Sequence, residues 1–97
     1  MNRTIWKFVL AFGDEPEIEM PKGAQPIHAD IDSQAGVVEI WAVVNPAAPF
    51  AIRRFILRGT GHPLPSVGPH IATVKDGPFV WHLFNEWSMA DLGGLKF

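Results

Sequence analysis

The chain has 97 residues, a formal net charge of −2, no cysteine, and 19% charged against 47% apolar residues. These values fit a single domain, 1–97, rule out disulfides and cysteine-based zinc sites, and argue against binding extended nucleic acid by phosphate neutralisation. Four Trp and seven Phe point to a dense aromatic core, and the low charge points to apolar surface covered by another copy or a partner.

No helical period of useful length runs through the chain. Short apolar runs are instead cut by Pro and Gly every 8–15 residues, which predicts an all-β fold. Thr4 to Phe12 is the first run, with Trp6, Phe8, Leu10 and Phe12 on one face and Ile5, Lys7, Val9 and Ala11 on the other, so the strand is expected to be largely buried. Gly13-Asp14-Glu15-Pro16 is a turn, and Glu17 to Met20 alternates as a half-buried strand that Pro21-Lys22-Gly23 breaks. Pro26 to Ser33 alternates again, with Ile27, Ala29 and Ile31 inward and His28, Asp30 and Asp32 outward. Ser33 to Gly36 is a hairpin loop with Gly where φ > 0 is needed, and it leads into Val37 to Asn45, the strongest strand.

Pro46-Ala47-Ala48-Pro49 is a rigid connector to a strand over Ile52 to Arg58. A Pro/Gly loop over Gly59 to Pro69 follows, then a short strand from His70 to Val74. Lys75-Asp76-Gly77 carries the Asp-Gly hairpin signal, and Phe79 to Trp87 is the last strand. Ser88 is placed to cap one helical turn over Met89 to Leu92.

About seven short strands on short links must be mainly antiparallel, in a small sandwich or barrel. The expected core is Trp6, Phe8, Leu10, Val38, Ile40, Phe55, Leu57, Val80 and Phe84, with the opposite face of the Val37 strand also covered. At least two of the four Trp are expected to be core. Lys7 interrupts the only run that resembles a signal peptide, and no segment approaches the roughly 20 apolar residues of a membrane span, so a cytoplasmic protein without membrane association is expected. A homo-oligomer, with a dimer favoured, is expected to form through Phe79 to Trp87, which is apolar on both faces.

Three groups of residues have chemistry worth weighing. Arg54 and Arg58 share a strand face that runs into Gly59-Thr60-Gly61-His62, where guanidinium groups and a Gly-rich turn can receive a small anion. The hypothetical anion site is therefore Arg54, Arg58, Gly61 and His62; the plain alternative is arginines paired to carboxylates on neighbouring strands. His28, Asp30 and Asp32 share a face in steps of about 6.5–7 Å and offer ligands to a divalent metal, but three ligands on one strand converge poorly, and a solvated strand edge accounts for them better. His82, between Trp81 and Leu83, reads as a packed histidine. No nucleophile elbow, cysteine or cofactor motif is present, so no catalytic set and no cofactor are expected.

Thr4-Ile5-Trp6-Lys7-Phe8, Glu19-Met20-Pro21-Lys22-Gly23-Ala24, Gly59-Thr60-Gly61-His62-Pro63 and His82-Leu83-Phe84, in this order, resemble a family of short uncharacterised proteins common in tailed bacteriophages and prophages. The resemblance implies a phage or prophage origin and action in the host cytoplasm; it brings no assigned site residues. The expected function is a non-enzymatic phage accessory binder, a counter-defence protein that blocks a host immune component or sequesters an anionic nucleotide signal. A structural or assembly component of the particle is the alternative, and a metal-dependent hydrolase built on His28, Asp30 and Asp32 is a minor one.

Overall fold

Alternating apolar and polar residues between Pro/Gly breaks produce seven strands in the computed structural model, which describes residues 2–88. They are β1 (Thr4–Ala11), β2 (Glu17–Pro21), β3 (Gln25–Asp32), β4 (Val37–Val44), β5 (Phe50–Gly59), β6 (Val67–Asp76) and β7 (Phe79–Glu86). Every pairing is antiparallel. A three-stranded sheet has the order β1-β4-β3 and a four-stranded sheet the order β2-β5-β7-β6; neither closes into a barrel. No helix, and hence none long and apolar enough to cross a membrane, occurs among the described residues. The helical turn expected over Met89 to Leu92 lies outside them.

The two sheets face one another across a core of Phe8, Leu10, Val38, Ile40, Ala29 and Ile31 from the first and Phe55, Leu57, Leu83, Ala72 and Met20 from the second. Six of the nine expected core residues are buried: Phe8, Leu10, Val38, Ile40, Phe55 and Leu57. Trp6 packs half-buried against the cluster. Val80 and Phe84 are a correction: they point away from the core with His82, and Leu83 and Trp81 point in. From Val80 to Asn85, residues on both faces of the central strand β7 are at least half-buried, so both faces carry apolar residues; which one meets the other sheet is set by the pairing Leu57↔Leu83.

β1 is a second correction. Its outward residues are not buried: Ile5 is 55% and Val9 51% exposed, because β1 is an edge strand and no described element covers that side. Val37, Glu39, Trp41 and Val43 on the same face of β4 are half-buried between the flanking strands. No Trp is fully buried: Trp6 and Trp81 pack against the core, Trp41 faces outward half-buried, and Trp87 is exposed. Ile27 also turns outward, at a bulge where the β3–β4 register shifts between Pro26 and His28.

One polar knot ties the two sheets together. Asp76, at the end of β6, accepts hydrogen bonds from the Ser33 backbone N–H at 3.0 Å, from the Ser33 hydroxyl, and from Trp81 Nε1 at 3.0 Å. The Ser33 hydroxyl, its N–H and the Trp81 indole hold the Asp76 carboxyl below the usual carboxylate range. A carboxyl lowered by folding stabilises the fold above its unfolded pKa and loses that contribution as pH falls through the folded value. The knot is therefore complete at pH 5 and above and fades below about pH 4. Asp76→Asn should melt lower than the parent at pH 7, and the gap should narrow between about pH 4 and pH 2. Thermal melts across that range check it; a gap that stays constant would show that the ionised carboxylate is not the stabilising species.

Candidate functional site

The outward face of the four-stranded sheet carries the residues that the sequence singled out. Alternation puts Arg54, Ile56 and Arg58 of β5 on this face beside Val80, His82 and Phe84 of β7, with Arg58 opposite His82 and Thr73 of β6 opposite His82 from the other side. Residues 60–66 leave β5 and turn across its end, so that Gly61 adopts φ +89, a left-handed value suited to glycine. The His62 N–H donates to the Gly59 carbonyl at 3.1 Å and closes this turn.

The structure separates the two arginines. Arg54 is enclosed by carboxylates, with Nε 3.2 Å from Glu17 and 3.9 Å from Glu15 and Nη1 3.4 Å from Glu86. The Glu17 hydrogen bond and the Glu86 charge raise its pKa further. Its charge is spent on neighbours, so Arg54 does not join the site. Arg58, two steps of the alternation further along, has no carboxylate within 4 Å among the described residues. It donates to three backbone carbonyls: Nε to Pro63 at 3.2 Å, and Nη1 to Asp14 and to Leu57, each at 2.9 Å. It thus straps the loop after β5 and the turn after β1 to the sheet, and carbonyls leave its positive charge unneutralised.

Beside Arg58 lies a hollow of about 300 Å³ lined by Thr60, Gly61, His62, Leu64, His82 and Phe84. Its polar groups are set by a hydrogen-bonded chain. Thr60 Oγ1 and His82 Nε2 lie 2.8 Å apart, His82 Nδ1 and Thr73 Oγ1 3.0 Å, and Thr73 Oγ1 and His70 Nε2 2.9 Å. With both ring nitrogens of His82 engaged, its plane is fixed from two sides. His70 also meets Phe84 edge-on at 5.2 Å. The arrangement can offer the Arg58 cation, the Thr60 hydroxyl and the His62 imidazole to a small anion, with His82 orienting Thr60; it offers no nucleophile with a base and orienter aligned behind it.

Of the hypothetical site, then, Arg58, Gly61 and His62 come together and Arg54 does not. Thr60, His82 and Thr73 enter with them. The Thr-His adjacency is not legible in the sequence because Thr60 opens the turn after β5 while His82 lies on β7, 22 positions away, and only the β5–β7 register brings them within bonding distance. His28, Asp30 and Asp32 do share an outward face of β3, where His28 lies against the Trp41 ring at 5.7 Å. Among the described residues no group of three or more His, Asp or Glu side chains is arranged to hold a metal ion.

The model of DUF7352, a domain of unknown function, matches residues 1–92. The chain belongs to this family. The resemblance noted from the motifs therefore holds for an uncharacterised family, and DUF7352 brings no assigned activity to the hollow. Comparison with curated proteins and with solved structures gives no match.

Proposed function

We propose that this DUF7352 protein is a non-enzymatic binding module that takes a small anionic ligand in the hollow formed by Arg58, Thr60, His62 and His82. The observation that carries the reading is Arg58: a half-buried cation held by carbonyls alone, facing a hollow whose other polar groups are preset by the Thr60–His82–Thr73 chain. Anion recognition needs a fixed guanidinium and oriented neutral donors, and both are provided by rigid strands. Taken with the resemblance to phage proteins, the reading is of an accessory protein acting in the host cytoplasm, sequestering an anionic nucleotide signal or blocking an immune component that carries one.

A second reading, a structural or assembly component of a phage particle, is favoured by a different observation. The outward face of the three-stranded sheet leaves Ile5, Val9 and Ile27 more than half exposed beside Trp41 and Val43, an apolar face suited to covering by another copy. Phe79 to Trp87, the segment expected to mediate a dimer, would have to do so through a face, since β7 is paired along both edges.

Native mass spectrometry of protein from infected cells, followed by calorimetric titration with inorganic phosphate and adenosine monophosphate, tests the binding reading. A retained adduct or a saturable heat is expected, lost in His62→Ala and Thr60→Val with little change in melting temperature because both side chains are exposed. Arg58→Ala should lose binding as well and also cost about 1–2 kcal/mol of stability, since three carbonyls lose a charged donor. An Arg58→Ala variant that melts like the parent would show that the strap contributes nothing. No adduct and no heat with either probe would overturn the binding reading.

A further inference from the structure

We infer that the open end of the sandwich, where Arg53 meets Asn85 and Trp87, is a second binding site, one that takes a carboxylate or phosphate carried on a flat apolar group. Arg53 lies on the inward face of β5 with Phe55 and Leu57, where alternation normally places an apolar side chain. Its guanidinium is half-buried between the sheets, and burial lowers its pKa.

What surrounds it is neutral. Nη1 donates to the Ala24 carbonyl at 2.8 Å and Nη2 to Asn85 Oδ1 at 2.9 Å; Asn85 Nδ2 in turn donates to the Pro69 carbonyl at 3.1 Å. The Phe55 ring lies 5.6 Å beneath the guanidinium. No carboxylate comes within 4 Å among the described residues. The contrast with the adjacent residue is direct: Arg54, exposed on the other face, has three carboxylates around it, and Arg53, which loses more hydration, has none. A buried ion without a counter-ion is destabilising unless something of opposite charge joins it. Asn85, fixed by its bonds to Arg53 and Pro69, holds the guanidinium plane in place for that group, and two of the five guanidinium N–H donors are used in doing so.

The space for a ligand is present. Arg53 opens onto a hollow of about 530 Å³, within the range of small-molecule sites, lined also by Gln25, Ile52 and Trp87. Of the other charged residues lining it, Glu86 is turned to Arg54 at 3.4 Å, a guanidinium it shares with Glu15 and Glu17, and Arg53 is the cation without a carboxylate partner. Trp87 is 38% and Ile52 65% exposed at the rim, a flat aromatic and a branched aliphatic surface beside the cation. A guanidinium fork selects a planar or tetrahedral oxyanion, and the indole favours a flat apolar body attached to it. This site lies near the start of β5, with Arg53 reaching it from the inward face and Ile52 from the outward side of the rim; the hollow at Arg58 lies at the other end of the strand and shares no lining residue with it, so each stands or falls alone.

The test is an NMR titration of the full chain with phenyl phosphate and benzoate, using phenol and inorganic phosphate as controls. Saturable shifts of the Trp87 indole N–H and the Arg53 Nε–H are expected with at least one aryl anion, with binding at least tenfold weaker for inorganic phosphate and no saturation with phenol. Arg53→Met should abolish the Trp87 response. That variant also removes the bonds to Ala24 and Asn85, so Ile52→Glu serves as the second: it sets a carboxylate at the exposed rim, keeps every bond of Arg53, and should weaken binding tenfold or more. His62→Ala should leave the response intact. Absence of saturation with both aryl anions, or binding unchanged in Ile52→Glu, would overturn the proposal.

Discussion

Leu83→Ala should destabilise the protein by about 2–5 kcal/mol, the usual cost of truncating a fully buried leucine, whereas Phe84→Ala, although it removes a larger side chain, should cost less than half as much. Leu83 is inaccessible to solvent and sits among Phe55, Leu57 and Ala72 in the common core; Phe84 is half-buried on the outward face, against His70 and the hollow beside Arg58. For a domain of this size each kcal/mol moves the melting point by roughly 4–8 °C. Leu83→Ala should therefore melt on the order of 10 °C or more below the parent, a large loss for so small a domain. Urea unfolding of both variants decides the matter. If Phe84→Ala proved the more damaging, β7 would present its other face to the core.

Gly59→Ala should cost about 1–3 kcal/mol, an overpacking penalty, and should weaken anion binding at the outward hollow at the same time. Gly59 closes β5 opposite Trp81 and is buried. A methyl group there would lie 3.0 and 3.1 Å from the His62 ring and 3.2 Å from the Trp81 ring. The exposed His62 ring can swing away, but doing so takes it out of the hollow. Trp81 has less freedom, because its indole N–H is bonded to Asp76 and Phe12 packs edge-on against it at 5.1 Å. The glycine is thus required by close approach and not by backbone strain. Chemical denaturation with phosphate titration of the same variant checks both effects; a variant of parental stability would show that Trp81 relaxes without cost.

The seven strands and the inward faces of β4, β5 and the second half of β3 were legible in the residues, whereas Ile27 turns outward at the β3 bulge and β6 begins at Val67, inside the expected Pro/Gly loop. Period-2 alternation in Ala29-Asp30-Ile31-Asp32 leaves one choice of buried face, and Gly36 takes the predicted positive φ in the hairpin loop. β7 was not legible in this way. Val80, His82 and Phe84 on one face and Trp81, Leu83 and Asn85 on the other are each two apolar residues and one polar one, and the half-buried Asn85 is accommodated on the inward face by its bonds to Arg53 and the Pro69 carbonyl. β1 misled for a related reason. Its outward Ile5 and Val9 look like core residues, and nothing local records that the strand ends up at the edge of a three-stranded sheet.

The site divides along the same line. Composition and local pattern by themselves determined that this is an all-β chain without cysteine chemistry, that Arg54 and Arg58 share one strand face with Arg53 on the other, and that a Gly-Thr-Gly turn follows, because these properties depend on residue type and on a period of two. Tertiary structure alone decided which arginine keeps an unneutralised charge. Glu15, Glu17 and Glu86 reach Arg54 only through the pairing of β2 with β5 and of β5 with β7; the carbonyls of Asp14 and Pro63 reach Arg58 only because two loops fold back over the same strand end. Such contacts join residues up to 44 positions apart, and their energies depend on distances that no local pattern encodes.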